Sequence, residues 1–271
     1  MKVGLNRRLA EWERLQSPGG RAELGCFSFE GTRLAERALR SQLRLETVFV
    51  STSFGGKPGA REALLLAELH ARADLDLHLL PDPQLAELTA GRTFGQVLGI
   101  ARTPREAQLD QLKSSGASGF QNGVLVVVDA TDPGNVGALL RTALASGAQA
   151  LLTVGSTDAF HPKAVRTSMG SLFRMPIRHF PSSAELFAVL KQEQFLLCGA
   201  VARDGKRLDE FSNPAGQPVA LLVGSEAFGL SEEDQAALDQ RLSIPMPAGV
   251  DSLSINAAAS VCLYELLSRA R

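Results

Sequence analysis

Residues 124–148 read VLVVVDATDPGNVGALLRTALASGA, and this stretch decides the fold class. It opens with an apolar run rich in valine, which is typical of a strand buried on both faces. It closes with a run of alanine and leucine that stops at Gly147, which predicts a helix. Between them lies the tight turn DPGN, where Asn135 is placed to cap the helix. A strand, a turn and a helix N-terminus predict a ligand site beyond the carboxyl end of a sheet.

Arg141 interrupts the otherwise small and apolar helix. Gly137 lies four residues earlier on the same helix face, so it leaves room for the guanidinium to reach a group docked at the turn. An ordinary surface arginine explains the same pattern. The dinucleotide-binding fingerprint is not matched, because no third glycine follows Gly134 and Gly137.

Two later segments have a similar character. Residues 221–231 read LLVGSEAFGLS, an apolar strand that runs into a glycine-flanked turn with a carboxylate. Residues 244–256 read IPMPAGVDSLSIN and precede an alanine-rich helix. Taken in order, the three segments closely resemble the motifs of the SpoU-type (TrmH-like) RNA ribose methyltransferases of the SPOUT superfamily. Those motifs have the shapes N-x-G-x-x-x-R, G-x-E-x-x-G-L-S, and I-P-M followed by S-L.

The resemblance implies an α/β fold in two parts. Residues 123–271 would form the catalytic domain, a trefoil-knotted α/β domain with a largely parallel sheet. Residues 1–105 would form a small α/β, ribosomal-protein-like RNA-binding domain, and alternating strand and helix patterns there predict a compact α/β unit independently. Residues 106–122 lose this periodicity and are interpreted as a linker. Within the first part, residues 17–20 (SPGG) are expected to end the first helix.

The resemblance also implies a reaction, in which S-adenosylmethionine donates a methyl group to a ribose 2′-hydroxyl of structured RNA. The residues that it places at catalysis are Asn135, Arg141, Glu226 and Ser252. The residues that it places around the methyl donor are Leu222, Gly224, Ile244, Met246 and Leu253. The residues that it places on the RNA are Arg33, Arg37, Arg40, Lys163 and Arg166. Because a guanidinium stays protonated, we expect Arg141 to stabilise the developing alkoxide and clamp a phosphate rather than act as a base.

Two positions depart from the family pattern. Ser254 stands where many relatives have asparagine, and Ala227 replaces a common glycine. Asn256 follows two positions later, but on a helix two residues lie roughly 200° apart, so Asn256 is not expected to substitute. For Gly224, the expected reason for a glycine is close approach of a planar base to the backbone.

Composition sets wider bounds. The chain is 45% hydrophobic and 21% charged, which is typical of a globular protein. The three cysteines, Cys26, Cys198 and Cys262, follow no metal-ligand spacing, so neither a metal nor a disulfide is expected. No apolar run suits a membrane helix or a signal peptide, which favours the cytoplasm. Residues 1–105 carry 15 basic and 12 acidic side chains against 13 and 17 in residues 106–271, which is compatible with RNA docking at the front half.

Several alternatives remain at this stage. The ribosomal-protein-like front domain favours ribosomal RNA, but transfer RNA is a second possible substrate. A catalytically weak RNA-binding protein of the same fold is another reading, although it would not need the four catalytic residues together. A nucleotide-binding enzyme such as a dehydrogenase is the third, and it lacks its glycine fingerprint. The resemblance further implies a homodimer.

Overall fold

A computed structural model describes residues 4–56, 59–91, 96–112 and 122–268. The chain divides into two compact units. Unit 1 comprises Met1–Pro104 and Phe160–Arg174, and unit 2 comprises Arg105–Ala159 and Met175–Arg271. No helix among the described residues is both long and apolar enough to cross a membrane.

Unit 1 is an α/β unit around a four-stranded sheet. Its elements in the first part of the chain are α1 (Leu5–Arg14), α2 (Pro18–Leu24), β1 (Cys26–Glu30), α3 (Thr32–Leu39), β2 (Leu45–Ser51), α4 (Thr52–Gly56), α5 (Ala60–His70), β3 (Asp76–Leu80), α6 (Asp82–Leu88) and β4 (Val97–Arg102). The strand order is β1-β4-β2-β3, and only the β2–β3 pair is parallel. Trp12 anchors the core of this unit, since its ring meets Phe49 edge-on and its Nε1 donates to Leu88 O at 3.0 Å. The predicted alternation of strands and helices is therefore present in the described part of this unit.

The first helix of unit 1 ends before residues 17–20, as predicted, but the helix that follows it was not predicted. Residues 17–20 do not simply end a helix, because Pro18 begins α2. Ser17 caps that helix by accepting a hydrogen bond from Gly20 N at 3.1 Å, and proline at the first helical position needs no donor. Gly19 and Gly20 thus lie inside the first turn of a helix.

Unit 2 is built on a seven-stranded, wholly parallel sheet. Its elements are α7 (Leu109–Leu112), β5 (Gly123–Val128), α8 (Pro133–Ala145), β6 (Leu151–Val154), β7 (Ile177–Phe180), α10 (Ser183–Gln192), β8 (Leu196–Ala200), β9 (Lys206–Arg207), β10 (Val219–Val223), α11 (Glu232–Ala236), β11 (Gln240–Ser243) and α12 (Ile255–Leu263), which a π-helical turn extends over Tyr264–Ser268. The intervening helix α9 (Pro162–Thr167) belongs to unit 1. The strand order is β7-β6-β5-β10-β8-β11-β9.

The predicted α/β class with a largely parallel sheet is confirmed. Every residue of β5 is buried, as expected for a strand covered on both faces. The prediction missed β7, a four-residue edge strand whose middle residues, Arg178 and His179, are polar and partly or fully exposed. The trefoil knot stays a prediction. Residues 113–121 of the predicted linker lie outside the described residues.

The register of unit 2 positions the site. Strands β5 and β10 are parallel neighbours, and Leu125 pairs with Leu221. The segments that follow the two strands therefore emerge at the same edge of the sheet. This pairing brings the first and second motifs together at the carboxyl ends of β5 and β10.

Candidate functional site

The end of β5 is fixed by side-chain hydrogen bonds. Asp129 has a φ of +50°, in the left-handed region that non-glycine residues rarely adopt. Its Oδ1 accepts hydrogen bonds from Ser156 N at 3.0 Å and Ser156 Oγ at 3.2 Å. Ala130 N donates to Thr157 Oγ1 at 2.9 Å. These bonds join the end of β5 to the turn after β6, so they hold the strained backbone just before α8.

Helix α8 begins earlier than predicted. Asp132, not Asn135, is the N-cap, and its Oδ1 accepts from Gly134 N at 2.9 Å. Pro133 is the first helical residue, where its fixed φ suits a helix and its missing N–H costs nothing. The prediction of Asn135 as the cap is therefore wrong. Since Asn135 lies inside the first turn, its side chain is available for contacts with other segments.

The three motifs meet through a line of hydrogen bonds. Asn135 Nδ2 donates to Glu226 Oε1 at 2.8 Å, and Asn256 Nδ2 donates to Asn135 Oδ1 at 2.8 Å. Thr131 N lies 3.4 Å from the second oxygen of Glu226. Asn135 and Glu226, both predicted site residues, are thus in direct contact.

The turn after β10 is closed by its own backbone. Ser225 N donates to Gly229 O at 3.1 Å, and Gly229 N donates to Ser225 O at 2.9 Å. A Cβ on Gly224 would lie within 3.0 Å of main-chain atoms of Gly229 and Leu230. A close approach that requires glycine here is therefore the one between two parts of this turn, and the approach of a planar base to Gly224 stays a prediction.

A cavity of about 480 Å³ opens beside this turn. Of the predicted donor-binding residues, four line it: Gly224, Ile244, Met246 and Leu253. Leu222 does not line it, because its side chain is fully buried in the sheet core. The volume falls within the range of small-molecule pockets, about 300–1,000 Å³. A lining that combines apolar side chains with polar and charged ones suits a ligand that carries both kinds of group.

The remaining two predicted catalytic residues lie in different places. Ser252 lines the cavity together with Glu226. Arg141 is exposed on α8, and no described residue forms an ion pair with its guanidinium. The structure thus brings Asn135, Glu226 and Ser252 to one edge of unit 2 and leaves the Arg141 side chain open to solvent.

Asn256 is the site residue that sequence reasoning missed. A rotation of about 200° separates residues 254 and 256 only if both lie in a helix, but Ser254 is the N-cap of α12, with φ −59° and ψ 150°. Its Oγ accepts from Ala257 N at 3.4 Å, while Asn256 lies in the first turn and reaches Asn135. The available signal was the serine itself, since S-x-x-small before an alanine run is typical of a capped helix start. Ala227 is exposed in the turn after β10.

The predicted RNA-contact residues all belong to unit 1. Arg33, Arg37 and Arg40 are exposed along α3 and its end, and Lys163 is exposed on α9. The Arg37 stem runs past Gly170, where a Cβ would lie 2.8 Å from Arg37 Cδ. The two segments therefore adjoin within this unit.

Arg166 is less exposed than these four cations. Its Nη1 donates to Glu30 Oε2 at 3.3 Å, and the Glu30 side chain is only 1% exposed. A charged carboxyl group with so little exposure needs nearby donors or a cation. Arg166 therefore contributes to holding α9 against β1.

The described residues include neither a reactive thiolate nor a cluster of metal ligands. Burial raises the pKa of the Cys198 and Cys262 thiols to about 12, so neither is a thiolate at neutral pH. Burial also raises the pKa of Cys26. No group of three or more metal-ligating side chains occurs within the described ranges. The polar groups that line the cavity are two carboxylates, two hydroxyls, an amide and a guanidinium.

Comparisons with known proteins give a matching family model and several similar proteins. The model of the SpoU rRNA Methylase family matches residues 122–264. A 23S rRNA (guanosine(2553)-2′-O)-methyltransferase of Bacillus subtilis is 28% identical over 269 residues, 96% of each protein. A 23S rRNA (uridine(2479)-2′-O)-methyltransferase of Streptomyces viridochromogenes is 36% identical over 141 residues, 50% of this chain and 48% of that protein.

A solved structure extends the likeness to three dimensions. The SpoU methyltransferase AviRb from Streptomyces viridochromogenes, in complex with AdoMet, superposes with a TM-score of 0.81. It is 26% identical in sequence, and the match covers 96% of both chains. The likeness therefore includes the front part of the chain as well as the segment that the family model matches.

Proposed function

The chain belongs to the SpoU rRNA methylase family, and we propose that it transfers a methyl group from S-adenosylmethionine to a ribose 2′-hydroxyl of ribosomal RNA. The observation that carries the proposal is the contact of Asn135 with Glu226 at the rim of the cavity. The Bacillus subtilis protein that matches 96% of this chain is named as a 23S rRNA 2′-O-methyltransferase, which supports the same acceptor here.

The donor cavity provides the first part of the mechanism. S-adenosylmethionine, when bound, supplies a methyl group on a positively charged sulfur. Ile244, Met246 and Leu253 would hold its apolar parts, and the backbone around Gly224 would hold its base. Ser252 and Glu226 supply polar groups at the same rim.

Activation of the acceptor is the second part. A ribose hydroxyl is weakly acidic, so it must be polarised before it attacks. Arg141 cannot remove the proton, because its guanidinium stays charged. Its exposed side chain can bind a phosphate of the RNA and stabilise the negative charge that develops on the oxygen, while the hydroxyl proton would pass to solvent water. Asn135 and Glu226, which contact each other, would orient the groups around that oxygen.

The test is methyl transfer from labelled S-adenosylmethionine to unmodified ribosomal and transfer RNA, followed by nucleoside analysis. We expect a 2′-O-methyl nucleoside in ribosomal RNA and a loss of at least about 100-fold in kcat for Arg141→Ala. Arg241→Ala is the matched control, since Arg241 is an exposed arginine of the same unit that does not line the cavity. Label on a base would refute the ribose acceptor, and label in transfer RNA alone would refute the ribosomal substrate.

RNA contact through unit 1 forms a second part of the proposal. The exposed cations of α3 and α9, Arg33, Arg37, Arg40 and Lys163, adjoin within one unit, and Arg166 supports that surface through Glu30. Each phosphate contact removed should lower the slope of log affinity against log salt by about 0.7–0.9. We expect alanine at all four positions to flatten this slope for a ribosomal RNA fragment. Arg72→Ala is the control, since Arg72 already pairs with Asp74 at 3.0 Å. An unchanged slope in the fourfold variant would exclude this surface.

We further propose a homodimer that works in the cytoplasm. Two apolar side chains near the end of the chain, Val261 and Tyr264, are 43% and 61% exposed, which a subunit contact would cover. Light scattering should give twice the mass of 28.8 kDa, and Val261→Asp should lower it. A monomer at all micromolar concentrations would refute the dimer. Cell fractionation tests the compartment, which the three free cysteines favour.

A further inference from the structure

Asn256 lies where the start of α12 approaches the other two motifs. Ser254 caps the helix, so Asn256 falls in its first turn. Its Nδ2 donates to Asn135 Oδ1 at 2.8 Å, and Asn135 Nδ2 donates to Glu226 Oε1 at the same distance. One line of side chains therefore connects α12, α8 and the turn after β10.

The charge at one end sets the direction of the whole line. An ionised carboxylate accepts hydrogen bonds and donates none. Asn135 must therefore turn its NH₂ group toward Glu226 and its oxygen toward Asn256. Asn256 must in turn present its NH₂ group to that oxygen. Only one orientation of each amide satisfies both bonds.

The side-chain oxygen of Asn256 indicates that the hydrogen bond to Asn135 sets the orientation of the Asn256 amide. Its Oδ1 is buried, and no described residue donates a hydrogen bond to it. Buried amide oxygens in native proteins nearly always have a donor. An orientation that leaves the oxygen without one is therefore dictated by the bond to Asn135.

We propose that Asn256 is a positioning residue for methyl transfer: it holds the Asn135 amide from the side opposite Glu226, whose carboxylate sets the direction of the two hydrogen bonds. The proposal rests on the proposed function of the site. Ser254 is used here as a helix cap. An asparagine two residues later, on the first turn, supplies the amide that the line of hydrogen bonds needs.

Two substitutions at one position test this role. Asn256→Ala removes the donor, and Asn256→Asp keeps the shape but presents an oxygen to the oxygen of Asn135. The introduced carboxylate would draw the NH₂ group of Asn135 away from Glu226. An added carboxylate near a helix N-terminus does not destabilise the helix, so a loss of folding should not mask the effect. We expect kcat to fall about tenfold in both variants, the worth of one hydrogen bond, with KM for the donor within about threefold.

A double-mutant cycle distinguishes positioning from packing. If Asn256 acts through Asn135, Asn256→Ala should cause no further loss of kcat in an Asn135→Ala background. Multiplicative losses would overturn the proposal. Ser260→Ala is the control on the same helix, since its exposed hydroxyl bonds only the backbone oxygen of Asn256. It should retain wild-type kcat.

A second readout does not depend on activity. Crystal structures of the wild type and of Asn256→Ala should show Asn135 in one side-chain orientation in the first and released from it in the second. An unchanged Asn135 in Asn256→Ala would overturn the positioning role even if the enzyme were active. If the wild type methylated no RNA, the proposed function would fail, while the crystal structures would still decide whether Asn256 orients Asn135.

Discussion

Replacement of Gly224 by alanine adds one methyl group at the place where the turn after β10 folds back on the strand. That Cβ would lie within 3.0 Å of main-chain atoms of Gly229 and Leu230. Ordinary contacts between carbon atoms need about 3.5–4.0 Å, so the turn must retreat by more than about 1 Å. Main-chain atoms cannot rotate away as a side chain can. Because the turn carries Glu226 and the rim of the cavity, its movement affects the donor site.

The size of the effect follows from this geometry. An extra methyl group in a well-packed site costs about 1–3 kcal/mol, and the absence of a flexible neighbour places Gly224→Ala at the upper end. We expect about 3 kcal/mol, shared between a lower free energy of unfolding and a weaker affinity for S-adenosylmethionine. If the turn moves completely, the whole cost appears in the donor dissociation constant, which then rises about 100-fold.

Both quantities can be measured on the same protein. Urea denaturation gives the free energy of unfolding, and calorimetric titration gives the dissociation constant of the donor. Gly229→Ala is the matched control in the same turn, since the space around its Cβ is open and only its φ of +68° opposes a side chain. Gly229→Ala should lower the free energy of unfolding by about 1 kcal/mol. A Gly224→Ala protein within about 0.5 kcal/mol of the wild type in both measurements would refute the steric reasoning.

Three further predictions concern stability and reactivity. Asp132→Ala should lower the free energy of unfolding in urea by about 1 kcal/mol because α8 loses its cap, and Asp132→Asn should retain most of it. Arg166→Met should lower that free energy by about 3 kcal/mol because it removes a cation from the buried Glu30, and a double variant with Glu30→Met should recover part of the loss; no recovery would contradict the role of the ion pair. Cys198 and Cys262, whose pKa burial raises to about 12, should not react with a thiol reagent at pH 8 until urea unfolds the protein; rapid reaction in the native state would contradict their burial.

Local sequence pattern predicted the elements that local physics controls. The apolar run of β5 is fully buried, and the strands and helices around the first and second motifs are present. The errors arose where two local interpretations compete. Residues 17–20 and residues 132–135 both combine proline, glycine and a capping side chain, which fits a turn or the first turn of a helix. The partner of the capping oxygen decides between them, and sequence does not name that partner.

The resemblance of the three motifs to a known family implied, from sequence alone, the fold class, the family and a site that contains both Asn135 and Glu226. Only the tertiary structure decided that Asn256 joins them and that Gly224 is required by the adjoining backbone. Periodicity reports which face of a segment is buried, because burial repeats with the helix or strand. Hydrogen bonds between the ends of distant segments depend on where each backbone stops within a few tenths of an ångström, and residue spacing does not encode that position.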